Sequence, residues 1–102
     1  MGIEIRRRPL FHLGPLVATP GALDVMEEHG IHGRALVNRH VTGDYGDISD
    51  GDWAANEEAI ESGARIMSVY TFDGVRLWII TDAVIDEENH RQATTILLPE
   101  DY

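Results

Sequence analysis

Arg39-His40 is followed within seven residues by Gly43-Asp44-Tyr45-Gly46-Asp47. An imidazole that titrates near neutral pH, beside two carboxylates and a phenol, is a kit for acid–base chemistry, because the acids orient the ring and raise its pKa. The same residues have a plainer reading. Asp44 and Asp47 accept backbone hydrogens in a turn, and His40 ends a helix whose negative pole favours the charged ring. The spacing is unspecific, so the structural reading outweighs the catalytic one.

Asp44, Asp47, Asp50 and Asp52, with glycines among them, raise the question of a metal. A calcium loop of the EF-hand kind needs Asp-x-Asp-x-Asp-Gly and a later glutamate, and this stretch is out of that register. His29 and His32 flank Gly30 without further ligands, no His-Glu-x-x-His pattern occurs, and there is no cysteine to supply a thiolate. Neither a metal nor a cofactor is expected.

A third set falls where strands are predicted: Arg65, Ser68, Tyr70, Arg76, Trp78, Thr81, Arg91, Thr94 and Thr95. Strand side chains alternate, so Ile66, Ser68 and Tyr70 share one face and Arg65, Met67 and Val69 the other. Across the hairpin, Trp78 and Ile80 oppose Leu77, Ile79 and Thr81. One face must pack on the helices, and the other displays a mixture such as Ser, Tyr and Trp, or Arg and Thr. That display suits a binding site, with Asp44, Tyr45 and Asp47 in the loop and Ser68 and Trp78 on the sheet as binding candidates. It equally suits an ordinary solvated sheet.

These side chains need a scaffold. Residues 13–19 read as a short strand that Pro15 confines to a sheet edge. Thr19-Pro20 sets a capping hydroxyl before a proline at the first helical position, and a helix continues over 22–29 to Gly30, with Leu23, Val25 and Met26 inward. A second helix is predicted over 32–40. Residues 42–52 are loop by composition, Ser49 or Asp50 caps a third helix over 53–62, and Gly63 stops it. Residues 65–72 and 75–81 flank Asp73-Gly74, a two-residue hairpin signal, and 93–98 returns as a strand after the polar segment 82–91. Helices ahead of strands predict an α+β class, with two or three short helices packed on a small, mostly antiparallel sheet containing a C-terminal hairpin and meander. Residues 1–12 read as a flexible N-terminal arm and 13–102 as a single domain. The hairpin or the segment 13–19 offers an edge for homodimer formation.

Charge is placed unevenly. Residues 1–43 carry five arginines against four acids, a sum of +1, whereas residues 44–102 carry fourteen acids against Arg65, Arg76 and Arg91, a sum of −11. Direct nucleic-acid binding is not expected of such a half, because phosphate affinity rests on clustered cations that release counterions. The 102 residues bound one domain with one modest core, and 43% apolar with 25% charged residues is ordinary globular composition. No apolar run approaches the roughly 18 residues that span a bilayer, and Met-Gly-Ile-Glu-Ile-Arg-Arg-Arg lacks the apolar stretch of a secretory signal. With no cysteine to constrain redox, the cytoplasm is the expected location.

Arg39-His40-x-x-Gly-Asp-Tyr-Gly-Asp, Ala55-Asn56-Glu57, Arg65-Ile-Met-Ser-Val-Tyr70, Trp78-Ile-Ile-Thr-Asp-Ala83 and the end from Thr94 to Tyr102 resemble a family of small acidic proteins from bacterial plasmids, integrative elements and phages. Its members are called plasmid-related proteins, and some carry the label of a type I restriction subunit. The resemblance covers residues 13–102 and departs from the pattern at 83–91. It implies no catalytic residues. The chain has neither a glycine-rich cofactor-binding turn nor an Asn-Pro-Pro-Tyr motif, so the methyltransferase label is not followed.

Two functions are in contention. One is a mobile-element accessory protein that binds a basic protein through its acidic surface, for instance to modulate restriction or CRISPR defence by mimicking DNA. The other is a metal-independent ribonuclease resembling barnase, EndoU and RelE-like toxins, with His40 as base or acid, Tyr70 as proton donor, and Arg65 and Arg91 as phosphate clamps. The binding reading ranks first, because the acidic half would repel RNA.

Overall fold

The computed structural model describes residues 8–102. Most of the expected N-terminal arm, residues 1–7, lies outside the described residues. Chain order is β1 (Leu16–Ala18), α1 (Pro20–His29), α2 (Gly33–Val41), α3 (Asp50–Ser62), β2 (Ile66–Phe72), β3 (Val75–Thr81), β4 (Thr94–Leu97) and a 3₁₀ turn, Pro99–Asp101. The strands lie in the order β1-β4-β3-β2. Pairs β2–β3 and β3–β4 are antiparallel and β1–β4 is parallel, so the class is α+β with a mixed, mostly antiparallel sheet.

Local chemistry sets the element ends. The Thr19 hydroxyl accepts from the Ala22 N–H and Pro20 occupies the first turn of α1, while Ser49 does the same for Asp52 in α3. In the hairpin both central residues, Asp73 and Gly74, have positive φ (48° and 78°), the turn geometry whose twist matches the flanking strands.

Register decides what the sheet shows to each side. Ser68 pairs with Ile79 and Val69 with Trp78. Ile66, Ser68, Tyr70, Leu77, Ile79, Thr81, Thr94 and Ile96 therefore share the face under the helices, and all are buried. Ala22 and Met26 of α1 and Leu36 and Val37 of α2 close one cluster over Tyr70, Leu77, Ile79 and Ile96. Tyr45, Ala59 and Ile66 form a second, with Phe11, Ile48, Trp53 and Ile60 around it. The other face carries Met67, Val69, Trp78, Ile80 and Leu97, and the Tyr102 ring packs against Trp78 at 5.4 Å. The expected joint display of Ser, Tyr and Trp is thus corrected, because the pleat sends Ser68 and Tyr70 inward and Trp78 outward.

The end of the expected arm touches the domain. The Leu10 N–H donates to the Val41 carbonyl at 2.9 Å, and Phe11 meets the His40 ring edge-on at 5.3 Å. Phe11 gains from covering the second cluster. Among the described residues no helix is long and apolar enough to cross a membrane.

Candidate functional site

His40 lies on the last turn of α2 with none of its surface exposed. Its Nδ1 is 2.6 Å from Ser68 Oγ on β2 and its Nε2 is 2.8 Å from Thr81 Oγ1 on β3. Thr81 Oγ1 lies 2.7 Å from Thr94 Oγ1 on β4, and the Thr94 hydroxyl donates to the Leu13 carbonyl at 2.7 Å. The terminal carbonyl orients the whole chain, since a carbonyl only accepts and each hydroxyl has one hydrogen to give. Thr94 gives its hydrogen to Leu13, Thr81 gives to Thr94, His40 gives its Nε2–H to Thr81, and Ser68 gives to the bare Nδ1. The ring is then neutral, and each hydroxyl hydrogen in the seam is given once.

Burial, with the nearby Arg91 charge adding to it, pulls the His40 pKa down to about 3. This corrects the expectation of a charged histidine, raised in pKa by neighbouring acids, at a helix end. A general base works best with a pKa near the operating pH and with access to substrate, and His40 has neither.

The other three residues suited to RNA cleavage face different surroundings. Tyr70, buried on the helix side of β2, donates its hydroxyl to the Asp44 carbonyl at 2.6 Å, and burial holds its pKa above the ordinary phenol value. Arg65 is exposed and donates to the Tyr102 hydroxyl at 2.7 Å. Arg91 is buried and donates to the carbonyls of Ala59, Ala64 and Asp82 at 3.1, 2.7 and 3.2 Å, with its guanidinium 5.5 Å from the Phe11 ring. It serves as a clamp at the C-terminal end of α3, where a cation suits the exposed carbonyls. The four do not converge on one solvent-facing point.

The loop 42–52 folds back along the edge of β2. Gly46 bridges Val69, the Asp47 N–H donates to the Val69 carbonyl at 2.7 Å, and the Val69 N–H donates to the Tyr45 carbonyl at 3.0 Å. Gly46 has φ +73°, and a Cβ there would sit 2.0 Å from the Val69 oxygen, so only glycine permits the approach. One turn along, Asn56 completes the strap: its Nδ2 donates to the Met67 carbonyl at 2.7 Å and its Oδ1 accepts from the Met67 N–H at 3.1 Å. The side-chain amide stands in for a peptide group of a missing strand. The sequence shows Asn56 only as part of a helix and of the family resemblance, because an Asn on a helix face carries no signal of a strand it will meet only after folding.

The five binding candidates are likewise spread apart. Tyr45 is fully buried and donates to Glu57 at 2.8 Å, and Ser68 sits inside the histidine seam. Asp44 holds Arg39 at 2.7 Å, and that hydrogen bond raises the guanidinium pKa while its plane lies 4.4 Å from the Tyr70 ring. Asp47 is exposed on the strap, and Trp78 is half-buried on the opposite sheet face.

One potential ligand set went unnoticed in the sequence. Asp86, Glu88 and His90 bring one ligand atom each within 4.8 Å of one another on an exposed turn. His90 Nδ1 already meets Asp86 Oδ2 at 2.8 Å, a hydrogen bond that holds the Asp86 carboxyl below its usual pKa and explains the cluster as a hydrogen-bonded turn. Its signal was the alternation Asp-x-Glu-x-His.

α3 is different in kind. Asp50, Asp52, Glu58 and Glu61 are exposed on it, and it has no basic residue in its last turn. Beyond Gly63 the Val84 N–H donates to the Gly63 carbonyl at 2.8 Å, which joins the acidic turn 86–88 to the same end. Helical periodicity puts Asp50, Glu58 and Glu61 within about 80° of one another along a helix of about 20 Å, an acidic ridge, while Asp52 stands on the flank toward Asp47.

Comparison with protein-family models, curated proteins and solved structures finds no match to this chain.

Proposed function

We propose that this protein is a binding module that engages a positively charged protein through the acidic ridge on α3. What supports the reading is where the acids stand. Asp50 and Asp52 lie in the first turn, where the helix dipole favours them, but Glu58 and Glu61 lie toward the C-terminal end, where it does not. The helix dipole gives no reason for them. Arg91, which reaches that end, is turned inward onto main-chain carbonyls, and among the described residues Glu58 and Glu61 have no ion pair.

A rigid carboxylate ridge draws a basic groove by long-range attraction and presents it with charges in place of phosphates. Nucleic-acid enzymes are the proteins in which such grooves are common, so the module acts by occupying one of them. A role in a mobile element's dealings with host restriction or CRISPR defence is the biological form of this reading, suggested by the family resemblance.

The test is capture on the immobilised protein from bacterial lysate, with identification of what is retained, at about 0.1 M and again at about 0.5 M salt. A basic nucleic-acid-binding protein should be held at low salt, released at high salt, and lost by a variant combining Asp52→Asn, Glu58→Gln and Glu61→Gln. Retention of no such protein, or retention indifferent to those three changes, would remove the reading. So would tight binding of duplex DNA or RNA by the protein itself.

A further inference from the structure

We infer that β1 is a pairing edge through which two copies of this chain join by a two-fold, antiparallel strand contact. The sheet ends at β2 on one side, where Asn56, Tyr45 and Asp47 occupy the outward backbone groups. It ends at β1 on the other, where among the described residues no segment does so. The Thr94 N–H donates to the Pro15 carbonyl at 2.9 Å and the Thr19 N–H donates to the Ile96 carbonyl at 3.0 Å. Alternate residues Pro15, Val17 and Thr19 therefore turn toward β4, and Leu16 and Ala18 turn their N–H and C=O groups outward.

That parity fits a symmetric partner. A two-fold axis at Val17 sets Leu16 opposite Ala18 of the second copy, and each such pair exchanges hydrogen bonds in both directions. The large side chain meets the small one. Beside Ala18 runs an apolar groove of about 560 Å³, walled by Leu23, Met26, Ile31, Val37 and Ile96, which receives the Leu16 of the second copy. Leu16, Val17 and Leu23 are 54%, 48% and 54% exposed, an apolar strip of the kind that folded proteins otherwise blunt or cover.

Charge excludes a basic occupant, and the parity of the edge favours a second copy. The groove lining includes Arg34 and His32 and no carboxylate, in a chain of net charge −10. A basic partner finds nothing to pair with there. A second copy brings its own carboxylate-free strip, while the acidic α3 of each copy, packed at β2, stays at the far end of the joined sheet.

Sedimentation velocity of the full chain over about 1–500 µM, combined with amide exchange, tests this; a contact this short belongs with weak interfaces below about 1,200 Å². The expected result is a reversible monomer–dimer equilibrium, with protection of the Leu16 and Ala18 amides rising with concentration. Raising salt should leave the dimer unchanged or tighten it, because salt screens repulsion between two anionic copies. Capture through the acidic ridge moves the other way, so the two readings fail separately. Leu16→Glu should weaken association at least tenfold. Leu16→Pro should do the same, removing an outward N–H at no cost to the β4 ladder. Thermal melts establish that each variant folds, and the amide protection of the unaltered chain decides the matter if neither does. Association unchanged in both folded variants overturns the inference. A monomer at every concentration also overturns it: free exchange at Leu16 and Ala18 would leave the edge to an extended segment of another protein, and constant protection would assign it to residues 1–7.

Discussion

The two edges of the sheet are finished in opposite ways. At β2 the backbone groups of Met67 and Val69 are met by Asn56 and by the strap 45–47, so the edge is sealed by the same chain. At β1 the outward groups of Leu16 and Ala18 meet no described segment, and exposed Leu16 and Val17 flank them. An edge is a template for pairing unless something blocks it, and the described residues block only one. The sealed edge lies beside the acidic helix, so a partner drawn to the ridge finds no open backbone there. The open edge lies where the carboxylates are absent. The fold keeps the acidic helix and the uncovered strand at opposite ends of the sheet.

Breaking the seal should have the largest effect. Asn56→Ala strips both partners from Met67 and is expected to destabilise the fold by about 3 kcal/mol, since a buried donor or acceptor left alone costs roughly 1–3 kcal/mol. Urea unfolding measures this, and light scattering should show aggregation as the bared edge finds other chains. Gly46→Ala attacks the other half of the strap through backbone contact and positive φ, with an expected loss of about 2 kcal/mol by the same measurement.

The seam that runs between the two ends of the sheet predicts a pH effect. The folded His40 pKa of about 3 lies below the ordinary value, so as pH falls through about 6.5 the unfolded chain takes up a proton that the native ring refuses. Stability present above that pH should fall by about 1.4 kcal/mol per pH unit below it. Urea midpoints at pH 7.5 and 5.5 should differ accordingly in the unaltered protein, and the contribution of this residue should vanish in His40→Gln. Equal slopes in both proteins would mean that the ring is not held neutral.

The smallest effects belong to the open edge and the ridge. Leu16→Glu should change the stability of the monomer by less than about 0.5 kcal/mol, against the much larger cost at β2. Glu61→Gln should raise the melting temperature slightly, by the equivalent of about 0.3–1 kcal/mol, because it removes a negative charge from the negative end of α3. A stabilising change that weakens partner capture would set the ridge apart as a surface kept for binding.

Much of the scaffold was legible. Thr19-Pro20, Gly30, Ser49, Gly63 and Asp73-Gly74 act within a few residues of themselves, so the helix ends and the hairpin follow from local rules. The segment with Pro15 is an edge strand as its composition implies. The seam was not legible, because Ser68, Thr81 and Thr94 become partners of His40 only once three strands align in one register. Arg91 was read as a phosphate clamp, and its burial against carbonyls 9 to 32 residues away has no local signature.

The order of residues alone determined the α+β class, the element ends and the division between a near-neutral first part and an acidic second one, because caps, glycines and charge counts act locally or simply add. Which face His40, Ser68 and Trp78 occupy, where the exposed carboxylates stand and which edge the described residues leave uncovered were decided by tertiary structure. Those properties depend on strand order and register, which bring together residues from opposite ends of the chain and thereby exclude water from one set of groups and leave another in it.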